Sequence, residues 1–88
     1  MKVYPTKSFF RDVKKIINPA LKLEIDQVIE TVKEAKTIKE IPQLRKLKGY
    51  KIHYRIKVGR YRIGISIVGD MVTFWRFLPR KDFYKFFP

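Results

Sequence analysis

Residues 49–64 read "GYKIHYRIKVGRYRIG", and how they are read decides the fold. Ile52, Tyr54, Ile56 and Val58 alternate with Lys51, His53, Arg55 and Lys57, a period of two that predicts a strand with one apolar and one basic face. Gly59-Arg60 supplies a tight turn. Beyond it Tyr61, Ile63, Ile65 and Ile67 alternate with Arg62, Gly64 and Ser66, so a second strand runs back beside the first. The positive charge of this stretch is therefore one face of a sheet.

Working outward, "VGD" turns the chain into "MVTFWRFL", a third strand that Pro79 stops, and these strands form a meander. In that strand Arg76 lies between Trp75 and Phe77 and, by simple alternation, points away from both. The closing "RKDFYKFFP" is short and aromatic, which predicts a last turn of helix against the sheet. Upstream, "KVYP" alternates and suits a short first strand. Thr6 then stands where an N-cap belongs before "KSFFRDVKKII", with Phe9, Phe10, Val13, Ile16 and Ile17 on one helical face. Asn18-Pro19 is a second helix start, followed by the apolar stripe Leu21, Ile25, Val28, Ile29 and Val32. "TIKEIPQLRKLKG" has no clean period and contains Pro42, so it reads as an irregular crossover that delivers Leu44 and Leu47 to the core.

The expected fold is α+β: a two-helix hairpin packed on a small, mostly antiparallel sheet in the order β-α-α-β-β-β, with a short C-terminal helix. The helices need a flat apolar surface to cover, and the meander offers one. The sheet's basic face is left for something else. At 88 residues the chain is expected to form a single domain, 1–88, with a modest core.

Composition narrows the function. Lys and Arg number 21 against 8 Asp and Glu, a net charge of +13. That lies far beyond the magnitude of about 2 to 8 that suffices for solubility, and it implies a polyanionic partner. Residues 1–50 hold 12 basic and 6 acidic groups, whereas residues 51–88 hold 9 and 2, so the second part is barely compensated. With no cysteine and a single histidine, His53, the chain has neither disulfides nor the ligands of a zinc cluster, and no metal or cofactor is expected. No signal-peptide pattern and no membrane-length apolar run occur, which points to a cytoplasmic protein.

"YRIKVGRYRI", followed by "FWRFLPRKDFYK", resembles the RelE/ParE superfamily of small toxins from bacterial and archaeal toxin–antitoxin pairs, and the likeness extends over essentially the whole chain. The RelE branch implies a ribosome-dependent mRNA endoribonuclease that works without metal: a 2′-hydroxyl attacks the adjacent phosphate, leaving a cyclic phosphate and a 5′-hydroxyl. Carried over by position, the resemblance implies a catalytic set of Arg55, Lys57, Arg62, Arg80 and Tyr84. Arg62 and Arg80 suit the phosphate, because guanidinium forks bond two oxygens and keep their charge. Tyr84 is a stacking residue or a general base, with Lys57 the alternative base or the donor to the leaving oxygen. Arg55 departs from the lysine of well-known members, and Pro79 stands where many relatives have histidine. Lys51, His53, Arg60, Arg76 and Lys81 complete the expected RNA-binding surface.

The resemblance further implies a cognate antitoxin with an acidic or amphipathic wrapping segment, with mRNA and the ribosomal A site as targets. Promoter DNA would be bound only through the antitoxin complex. Two other readings stand beside this one. A ParE-like gyrase inhibitor would lack the cationic and tyrosine set, and a non-catalytic relative would bind RNA or the ribosome with the same cations.

Overall fold

The computed structural model describes residues 1–88 and contains five strands and three α-helices: β1 (Lys2–Pro5), α1 (Lys7–Lys14), α2 (Pro19–Glu34), β2 (Leu44–Lys46), β3 (His53–Val58), β4 (Tyr61–Val68), β5 (Met71–Pro79) and α3 (Arg80–Phe86). A 3₁₀ turn, Ile38–Glu40, precedes β2. No helix is long and apolar enough to cross a membrane.

Both helix starts form as the cap residues dictate. The Thr6 hydroxyl oxygen accepts the Phe9 N–H at 3.1 Å, and the Asn18 side chain accepts the N–H groups of Ala20 and Leu21 at 2.9 and 3.3 Å. Between them α1 stops at Lys14, earlier than its apolar face suggested. The chain must leave the helical region to place Asn18 in the extended conformation before Pro19, so residues 15–17 become the turn. Ile16 is still buried, but Ile17 is 92% exposed.

The sheet order is β1-β5-β4-β3-β2, with β1 parallel to β5 and every other pair antiparallel. The crossover thus holds an edge strand that its sequence did not announce. Leu44, Arg45 and Lys46 pair with Ile56, Arg55 and Tyr54. Phe9 of α1 and Ile25 and Val32 of α2 meet Ile56, Ile63, Ile65, Val72, Phe74 and Phe77 in one core between helices and sheet. On the other face α3 lays Phe83 and Phe87 against Leu47 and Leu78. Gly64 is required there: a Cβ at this position would stand 2.7 Å from the Phe87 ring. The second face is therefore shared between an aromatic helix and the cations.

β5 does not alternate simply. A register shift pairs Gly64 with Arg76 but Ile65 with Phe74, leaving Trp75 as an extra residue. As a result Phe74 and Phe77, three apart, are both buried, while Trp75 is 41% exposed, so Trp75 and Phe77 do not share a face. Beyond Phe74, β1 has ended and the edge of β5 is satisfied by other groups. The Thr6 hydroxyl donates to the Trp75 carbonyl at 3.2 Å, and the buried Asp12 carboxylate accepts the Phe77 N–H at 3.0 Å.

Candidate functional site

Antiparallel pairing sets the cations in rows. Arg45, Arg55 and Gly64 lie side by side across β2, β3 and β4, and the next row holds Lys57, Arg62 and Leu78. The tight turn at Gly59, whose φ of +58° favours glycine, brings Arg60 round beside them. The Arg80 N–H donates to the Arg60 carbonyl at 2.8 Å, which fixes the start of α3 against this turn. Lys57, Arg60, Arg62, Arg80 and Lys81, with Gly59, line an open depression of about 810 Å³ that no apolar or acidic side chain enters.

Arg62 is the centre of this group. It is only 7% exposed, and its Nη1 donates to the carbonyls of Gly59 and Tyr61 at 3.1 and 2.9 Å. Burial, then the charges of Arg55 and Arg80, push its guanidinium below the ordinary arginine value, and the neighbouring Tyr84 phenol offsets part of that effect. No carboxylate answers it, since the ion pairs in the molecule are Lys33–Glu30 and Arg76–Asp12. A nearly buried cation beside like charges, with carbonyls and a phenol around it but no carboxylate, is arranged for an anion from outside.

Arg55 donates from Nη1 to the Gln43 carbonyl at 2.8 Å, and that carbonyl also accepts the Lys57 N–H at 3.3 Å. Gln43, at φ +62°, is the only non-glycine residue in the left-handed region, so a turn of that kind orients both cations of β3. Tyr84 projects from α3 and is 60% exposed.

Arg55, Lys57, Arg60, Arg62, Arg80, Lys81 and Tyr84 are thus brought together around Arg62. The other expected binding residues lie elsewhere. Lys51 precedes β3 and is exposed. His53 sits at the far end of the strand, edge-on to Tyr50 and Phe87 at ring distances of 5.5 and 5.7 Å. Arg76 is held by Asp12, its Nε–H donating at 2.7 Å. Arg45 joins the basic face unannounced, because only the pairing of β2 reveals which way it faces. No three His, Cys, Asp or Glu side chains come together.

Such a fold, with guanidinium groups gathered beside a tyrosine, defines a small α+β protein with one strongly cationic site. No protein-family model matches the sequence. It is 39% identical, over the full length of both chains, to Toxin RelE3 of Methanocaldococcus jannaschii. Its structure is similar to the crystal structure of a RelB-RelE antitoxin-toxin complex from Methanococcus jannaschii, with a TM-score of 0.81 and 35% identity, covering 97% of this chain and 99% of that one. A second likeness, of fold alone, is to the archaeal RelE-RelB complex from Pyrococcus horikoshii, with a TM-score of 0.73 and 18% identity over 90% and 93% of the two chains. The chain belongs to the RelE toxin family.

Proposed function

We propose that the protein is the toxin of a toxin–antitoxin pair and that it cleaves messenger RNA in the ribosomal A site. The observation that carries this reading is Arg62: buried, surrounded by Arg55, Arg80 and Lys57, and without a carboxylate partner.

In the proposed reaction a ribose 2′-oxygen attacks the adjacent phosphorus. A new P–O2′ bond forms and the P–O5′ bond breaks, giving a 2′,3′-cyclic phosphate and a 5′-hydroxyl. Arg62 and Arg80 hold the non-bridging oxygens and stabilise the charge that grows on them. The 2′-proton passes to the phenolate form of Tyr84 or to the neutral amine form of Lys57, and the leaving 5′-oxygen takes a proton from a protonated group beside it. Arg55, fixed by the Gln43 carbonyl, positions the neighbouring phosphate. The toxin acts in the cytoplasm, its antitoxin presents an acidic or amphipathic segment, and promoter DNA is reached through the antitoxin.

The test is cell-free translation of a defined message, with RNA ends mapped by primer extension. New ends within codons, lost with Arg62→Ala and reduced with Tyr84→Phe, support the proposal. An intact message with normal translation overturns it, and arrest without cleavage leaves a ribosome binder that performs no chemistry.

A further inference from the structure

At the other end of α3 from the cationic depression lies a second cavity, of about 300 Å³, lined by His53, Trp75, Arg76, Phe86 and Phe87 with Ser8 at its rim. Its character differs from that of the first. The bulge in β5 takes Trp75 out of the core pattern, and its indole Nε1–H donates to the Ser66 hydroxyl at 2.8 Å, pinning a large aromatic ring that stays 41% exposed. Phe86 is 58% exposed, and the Arg76 guanidinium stands 6.0 Å from its ring centre. Asp12 takes the Nε–H and an Nη2–H of Arg76, which leaves Nη1 without a protein acceptor.

We propose that this cavity is a nucleobase subsite, in which a base of single-stranded RNA stacks on Trp75 and Phe86 while Arg76 Nη1 donates to that base or its phosphate. The inference rests on the RNA reading above and adds to it a residue set outside the cleavage centre. Three observations favour RNA as the occupant. Aromatic faces beside arginine are the sequence-tolerant platform of single-strand binding, since every base has a π-face. A ring already held by a hydrogen bond loses little freedom on stacking. Third, α3, about 10 Å long, carries Arg80 and Lys81 of the cationic depression at its start and Phe86 of this cavity at its end, a separation that a short run of unpaired nucleotides covers.

Trp75 is the only tryptophan, so its fluorescence reports this cavity alone. The probe is a short 2′-O-methyl RNA, which lacks the attacking hydroxyl and survives the assay, set against an abasic strand of equal length. Binding is read by anisotropy of a label on each strand. The expected result is that both strands bind but only the base-bearing one quenches Trp75. Trp75→Ala and, independently, Phe86→Ala should weaken the base-bearing strand by about tenfold and leave the abasic strand unchanged. Binding of the base-bearing strand without quenching, or equal quenching by the abasic strand, overturns the subsite while the RNA reading stands. Failure of both strands to bind overturns the subsite and the RNA reading together.

Discussion

The Asp12 carboxylate of α1 accepts the Nε–H of Arg76 at 2.7 Å and the backbone N–H of Phe77 at 3.0 Å, so one buried acid holds both a cation and the open edge of β5. That edge lies just before α3, which carries Arg80 and Tyr84. A contact on the helical side of the molecule thereby fixes the strand from which the site projects.

Removing that acid leaves the Phe77 N–H buried and Arg76 uncompensated. Asp12→Ala is expected to cost about 3 kcal/mol of folding stability, the scale of a broken buried pair. Chemical denaturation measures it. The double variant with Arg76→Met should recover part of the loss, because no cation then remains to be answered.

Gly64 makes the opposite kind of demand, for empty space. A Cβ there meets Cγ and both Cδ atoms of Phe87 at 2.7–2.8 Å, within a backbone that is ordinary strand. Gly64→Ala should therefore push Phe87 and the end of α3 away, at about 1–3 kcal/mol. Faster amide exchange confined to α3 would show it, while the helical core keeps its protection.

The parts of this molecule that were open to sequence reading are those set by local physics. Thr6 and Asn18 cap because of their own side chains, and the period of two in residues 51–67 by itself puts Arg55, Lys57 and Arg62 on one face. What lay hidden is decided at a distance. Leu44–Lys46 is a strand only because Tyr54–Ile56 pairs with it, so Arg45 could not be placed. The extra residue at Trp75 arises from the register of β4 on β5, and with it the strict alternation expected around Arg76 fails. The ion pair of Arg76 with Asp12, 64 residues away in the chain, likewise has no local signal.

Because Arg62 is crowded by Arg55 and Arg80, a bound anion should relieve the folded state. Phosphate is expected to raise the unfolding temperature of the wild type more than that of Arg62→Met. Once the site is saturated, the stabilisation should grow by about 1.4 kcal/mol per tenfold in phosphate. An identical rise in both proteins would mean that phosphate acts only as a general stabilising salt.

Arg45 gives the sharpest test of the register. It faces Arg55 directly across β2 and β3, whereas Lys22 lies exposed on α2, which packs on the opposite face of the sheet. For single-stranded RNA the logarithm of affinity falls with the logarithm of salt by about 0.7 per phosphate neutralised. Arg55, Lys57, Arg62 and Arg80 together thus predict a slope of about −3, and a phosphate held by Arg45 steepens it by one further increment. Affinities measured across a salt series should show Arg45→Ala lowering the slope by about 0.7, with Lys22→Ala leaving it unchanged. Equal loss from both substitutions would mean that RNA senses the net charge of the whole protein and not this row of the sheet.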